Sequence, residues 1–116
     1  MISEMSAKHV ELLKEIYQPL SDLAILWNSN NASHPSAIMS AQVSAQSLSA
    51  QTRPMEVRHV RDLDAIFASI VKQRANGVLF LAYPIFFIQL KRMAEFTTSS
   101  RLPAITNFVE FPKFGD

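Results

Sequence analysis

Cysteine is absent from the chain, which excludes disulfides and thiolate metal sites. Glycine is scarce, with two in 116 residues. A phosphate-cradling or dinucleotide-binding loop needs several closely spaced glycines, so neither is expected. The longest apolar run, Gly77 to Ala82 and then Pro84 to Ile88 around Tyr83, is too short to span a bilayer. No charge of one sign dominates. Eleven basic residues stand against ten acidic ones, spread along the chain, and no basic stripe exists to neutralise phosphates. Nucleic acid is therefore not an expected partner. Paired carboxylates and a Ser/His/Asp set at the strand ends are also missing, so no enzymatic activity is expected. His9, His34 and His59 show no ligand spacing, and neither metal nor cofactor is expected.

What the chain has is a repeated unit of short apolar run, polar loop and helical pattern. At 48% apolar residues and 116 in all, it has room for one core and reads as a single α/β domain over 1–116. Ser6 is placed to cap a first helix with Val10, Leu13, Ile16 and Tyr17 on one face, ending at Gln18-Pro19. Leu23 to Trp27 is a strand, apolar throughout, that breaks into the polar loop Asn28-Ser29-Asn30-Asn31. Ser33-His34-Pro35 opens a second helix, expected over Pro35 to Ala50, and Gln51 to Pro54 reads as a connector.

Met55, Val57 and His59 alternate with Glu56, Arg58 and Val60, the pattern of a strand exposed on one side. Asp62 can cap a third helix whose Leu63, Ile66, Phe67, Ile70 and Val71 form the clearest amphipathic stripe in the chain. Asn76-Gly77 is expected to supply its left-handed stop. Val78 to Ala82 is a central strand, Pro84 opens a fourth helix running through Thr97, and Leu102 to Thr106 is a short last strand.

Crossovers between parallel strands are right-handed. This element order therefore predicts a flavodoxin-like, doubly wound parallel sheet of about four strands in order 2-1-3-4, with helices on both faces. The loops after the first and third strands then border the crevice where the winding reverses, at the carboxyl ends of the strands. Asn28, Ser29, Asn30 and Asn31 bring amide and hydroxyl groups there, as ligand partners or as an ordinary helix-capping turn. His34 lies near this crevice and reads as a loop residue. Tyr83 can stack on a ligand or cover the sheet end. Phe108, Phe111 and Phe114 fit an apolar lining, a core, or a surface covered by a partner.

Laid out in this order, the residues resemble a family. Ser6-Ala7-Lys8 through Glu11-Leu12-Leu13-Lys14-Glu15, followed by Leu23 to Asn28, is similar to the start of the second lobe of bacterial ABC-transporter substrate-binding proteins. Asp64-Ala65-Ile66-Phe67, Ala75 to Leu81, Pro84 to Phe87, Arg101 to Ile105 and Glu110-Phe111 follow in that family's order and spacing. Tyr83-Pro84 stands where the family often has Asp-Pro, and Asn28-Ser29 where it often has Asn-Pro.

The resemblance implies one lobe of a two-lobe, non-enzymatic protein that holds a small polar or amino-acid-like solute and delivers it to a membrane permease. It implies a facing first lobe and a place outside the cytoplasm. By the same analogy, the ligand-facing positions are Asn28, Ser29, Asn30, Tyr83, Asn107 and Phe108. Met1 to Tyr17, interrupted by Glu4, Lys8, Glu11, Lys14 and Glu15, is not a signal peptide, so a cytoplasmic place is expected if the chain is a complete gene product. The alternative is a truncated lobe that transports nothing and pairs with itself as a homodimer through Phe108, Phe111 and Phe114.

Overall fold

The computed structural model describes residues 2–81 and 83–106, with backbone alone for residues 2–5. The elements are α1 (Ile2–Ile16), β1 (Asp22–Trp27), α2 (His34–Ser47), β2 (Gln51–Glu56), a 3₁₀ turn (Val60–Asp62), α3 (Leu63–Lys72), β3 (Gly77–Phe80), α4 (Pro84–Ile88), α5 (Leu90–Ser99) and β4 (Ala104–Thr106). The four strands form one parallel sheet in the expected order β2-β1-β3-β4. Among the described residues, no helix is long and apolar enough to cross a membrane.

Alternation along the two central strands divides the core between the faces of the sheet. Leu23, Ile25, Leu79 and Leu81 pack with Val10 and Leu13 of α1 and Ala37, Ile38, Ala41 and Ala45 of α2. Ala24, Leu26, Val78 and Phe80 point the other way, onto Leu63, Phe67 and Ile70 of α3, Phe86 of α4 and Met93 of α5. Helices therefore cover both faces, which is why β1 and β3 tolerate continuous apolar sequence.

The boundaries differ from the sequence expectation at several points. Ser6 lies inside α1 and is buried, so it is not the helix cap. Gln51 to Pro54 belongs to β2, and the strand ends at Glu56 before the alternating residues Val57 to Val60. Being an edge strand, β2 can carry Pro54 without losing a ladder bond, and it can remain polar. Gln51 and Arg53 both reach the Asp22 carboxylate of β1, Gln51 Nε2 at 3.1 Å and Arg53 Nε at 2.7 Å.

Asp62 does not cap α3 with its side chain. Its carboxylate instead accepts the Arg58 and His59 N–H groups, at 3.2 and 3.0 Å, and so holds the preceding turn. Pro84 opens a helix that breaks at Gln89, giving α4 and α5 rather than one element.

Three helices end in one way. Ser49, Arg74 and Arg101 have φ of 61°, 62° and 56°. The next residue in each case donates its N–H back five positions: Ala50 to the Ala45 carbonyl at 2.8 Å, Ala75 to Ile70 at 3.2 Å, and Leu102 to Thr97 at 2.8 Å. This left-handed cap stops α2 at Ser47, short of the expected Ala50. It also corrects the stop of α3, which is Arg74 rather than Asn76-Gly77. Gly77 serves close approach: a Cβ there would meet Leu20 Cδ1 at 2.4 Å.

Candidate functional site

β1 and β3 lie side by side, and the chain leaves them in opposite directions, toward β2 and toward β4. Their carboxyl ends deliver Asn28 to Ser33 on one side and Tyr83-Pro84 on the other. That is the switch-point crevice.

The loop after β1 is tied down from within. Asn28 is 1% exposed. Its N–H donates to His34 Nδ1 at 2.9 Å, its Nδ2 donates to the Val57 carbonyl at 2.6 Å, and its Oδ1 accepts the Asn30 N–H at 2.7 Å. Asn31 closes the turn: its N–H reaches the Asn28 carbonyl at 3.1 Å, and its Oδ1 accepts Ser33 N at 3.0 Å and Ser33 Oγ at 2.6 Å. Ser33 makes no side-chain cap to α2. The order of the loop thus comes from Asx-type bonds and from His34, not from a helix cap.

Glu56, at the end of β2, anchors the same loop from the other side. Its Oε2 accepts the Ser29 N–H at 3.2 Å and its Oε1 lies 3.3 Å from Arg58 Nε. The hydrogen bond from the Ser29 side chain, then the Ser29 N–H and Arg58, hold this carboxyl below the ordinary glutamate range.

Tyr83, half-buried and extended, precedes α4, and its carbonyl accepts Phe86 and Phe87 N–H at 3.0 and 3.2 Å. Its ring meets His34 edge-on, with centroids 6.1 Å apart and planes at 65°. Beyond it, Phe87 and Ile88 of α4 are 61% and 73% exposed.

Of the positions expected to face a ligand, Ser29 and Asn30 are exposed in the loop after β1 and Tyr83 is half-buried after β3. Asn28 is beneath, its amide engaged by backbone. Asn107 and Phe108, with Phe111 and Phe114, lie outside the described residues. Sequence reasoning placed His34 near the crevice as a loop residue, whereas it is the buried first residue of α2, and it gave Glu56 no role there. The only signal for His34 was its place in the first turn after the polar loop, and Glu56 gave none, because it read only as one of the alternating residues of the strand expected from Met55.

The edge offers amide and hydroxyl groups, an aromatic ring and backbone dipoles, a set suited to non-covalent recognition. Among the described residues no cluster of three or more His, Cys, Asp or Glu could hold a metal ion. A larger open groove runs between α3 and α5, floored by the stacked rings of Phe67 and Phe96 and bordered by the Arg92–Asp64 ion pair. It is lined by residues of these two helices alone.

No protein-family model and no curated protein sequence matches the chain. Solved structures do. A structure described as the ABC domain in complex with L-Trp from Streptococcus pneumonia superposes with a TM-score of 0.81 at 11% identity, covering 95% of this chain and 37% of that one. A conserved domain protein from Vibrio cholerae O1 biovar El Tor gives 0.80 at 16% identity with the same coverage of each chain. A fatty acid ABC transporter substrate-binding protein from Thermomonospora curvata gives 0.74 at 16% identity, covering 91% of this chain and 28% of that one. The fold is shared with part of each of these structures. The chain spans about a third of the length of these structures.

Proposed function

We propose that residues 1–116 act as a solute-binding lobe of an ABC-type uptake system, taking a small polar or amino-acid-like ligand at the carboxyl ends of the strands. The observation that carries this reading is the loop after β1: Ser29 and Asn30 are exposed on a loop fixed by Asn28, and Asn28 is joined through His34 to Tyr83 after the neighbouring strand β3. The binding of L-Trp by one protein of like fold, and the description of another as a fatty acid transporter component, support a small-molecule ligand in outline. In this reading Ser29, Asn30 and Tyr83 touch the solute and Asn28 sets their loop. Asn107 and Phe108, beyond the described residues, complete the contact set. The lobe performs no chemistry and needs no cofactor. It works outside the cytoplasm with a facing lobe and a membrane permease. Without the facing lobe, affinity is weak, because much of the ligand stays wet.

Native mass spectrometry of the purified chain at low micromolar concentration tests this directly. A monomer carrying a discrete small-molecule mass, displaced by added L-tryptophan or L-leucine, is the expected result. A chain that retains nothing and shows no stabilisation by any amino acid at millimolar concentration would refute solute binding by this lobe.

A second reading is favoured by one observation, the exposure of Phe87 and Ile88 beside Tyr83. In it the domain transports nothing and pairs with a second copy through this apolar knob, rather than through Phe108, Phe111 and Phe114 alone. A bare dimer that Phe87→Ser converts to monomer supports it, and a concentration-independent monomer excludes it.

A further inference from the structure

The loops leaving β1 and β3 meet at one buried side chain, and the segment after β2 is tied to it through Asn28. His34 has 0% exposure. Its Nδ1 accepts the Asn28 N–H at 2.9 Å, at the end of β1. Asn28 in turn binds the Val57 carbonyl just past β2, at 2.6 Å. The His34 ring lies edge-on to Tyr83, just past β3.

The bond at Nδ1 fixes the ring's chemistry. An acceptor nitrogen carries no proton, so the imidazole is neutral with its proton on Nε2. A ring protonated at Nδ1 would set donor against donor at the Asn28 N–H and place a charge where no water reaches. An apolar residue of similar size would fill the space yet leave that buried N–H without an acceptor. Asparagine is different, because its Oδ1 can reach the position that Nδ1 holds.

We infer that His34 is the positioning residue of the crevice, the neutral Nε2–H joint that locks the Asn28 loop to Tyr83 so that Ser29 and Asn30 present one fixed rim. This rests on the solute-binding reading of the same edge. It assigns His34 no contact with the solute.

The test is NMR on the isotope-labelled full chain. Long-range proton–nitrogen spectra of wild type should show His34 as the neutral Nε2–H tautomer near neutral pH, a measurement that needs no variant. His34→Asn should leave the Asn28 and Asn30 amides and the Tyr83 ring close to their wild-type positions. His34→Phe should move all three together while resonances of the α3–α5 groove stay in place. L-tryptophan and L-leucine serve as binding probes. His34→Asn should retain wild-type affinity within a few-fold, and His34→Phe should lose roughly tenfold or more.

An Nδ1–H tautomer or a protonated ring overturns the inference, as does a His34→Phe chain with undisturbed Asn28 and Tyr83. If the tautomer and the coupled resonances are as expected but neither probe binds, the joint stands and the solute-binding reading fails instead.

Discussion

Asn76 and Asp22 are joined by two hydrogen bonds running in opposite directions. The Asn76 N–H donates to the Asp22 carbonyl at 2.8 Å, and the Asp22 N–H donates to Asn76 Oδ1 at 2.9 Å. The same Oδ1 accepts the Ser21 N–H at 3.0 Å, and Nδ2 donates to the Pro19 carbonyl at 3.0 Å. One side-chain amide therefore serves the groups that open β1, at the end of the sheet opposite the crevice. Removing it strands several of them at once. Asn76→Ala should lower stability by about 1–3 kcal/mol, which for a domain of this size is several degrees in Tm. Asn76→Asp keeps the acceptor and loses the donors, and should cost less. Urea unfolding with an unchanged slope checks both, and an Asn76→Ala chain as stable as wild type would show the clamp to be idle.

The left-handed caps at Ser49, Arg74 and Arg101 hold side chains where the backbone disfavours a Cβ, at roughly 1–2 kcal/mol each. Glycine removes that penalty, though its freedom in the unfolded chain returns part of the gain. Arg74→Gly, at an exposed position, should therefore stabilise by about 0.5–1 kcal/mol. Arg101→Gly, also exposed, should behave alike, and the two should add because they cap different helices. A thermal melt of the single and double variants decides it. A fall in Tm would mean that the arginine side chains make stabilising contacts larger than the strain.

Sheet order and the two helical layers were legible because they rest on long signals: the apolar runs of β1 and β3 and the stripe of α3. The helix stops were not. A left-handed cap on serine or arginine carries no compositional mark, so the sequence pointed to the nearby Asn76-Gly77, whose residues do other work. The start of β2 was hidden for a related reason. An edge strand can be polar and hold proline, and Gln51-Thr52-Arg53-Pro54 looks like a connector until Asp22 is seen opposite it. At the switch point, the polar loop after β1 could be located from its position after a buried strand. Its internal wiring depends on His34, the first residue of α2, and on Glu56, which arrives from the end of β2, and neither shows any periodicity.

Glu56 makes the rim sensitive to acid. Its carboxyl sits below the ordinary glutamate range through the Ser29 side-chain hydrogen bond, the Ser29 N–H and Arg58. A depressed carboxyl binds fewer protons folded than unfolded, so its contribution to stability is complete above the ordinary glutamate value. That contribution is lost as pH falls from there through the lowered folded value. The Ser29 amide resonance should move with the same midpoint, and Glu56→Gln should remove the transition. A Ser29 amide that titrates at the ordinary value, or not at all, would show that the carboxylate does not hold the loop.

Two asparagines two residues apart should separate architecture from recognition. Asn28 is 1% exposed and spends its amide on the Val57 carbonyl and the Asn30 N–H. Asn28→Ala leaves both unmet in a buried site and should cost about 1–3 kcal/mol, weakening any solute only because the loop loosens. The Asn30 side chain is exposed at the rim, and Asn30→Ala should change stability by less than about 0.5 kcal/mol. If Asn30 touches the ligand, that variant loses affinity with Tm intact, and Asn28→Ala loses both. Titration of wild type and both variants with the same amino acid, alongside melts without ligand, gives the two quantities independently. Equal affinity in wild type and Asn30→Ala would remove Asn30 from the contact set and leave Ser29 and Tyr83 to carry the rim.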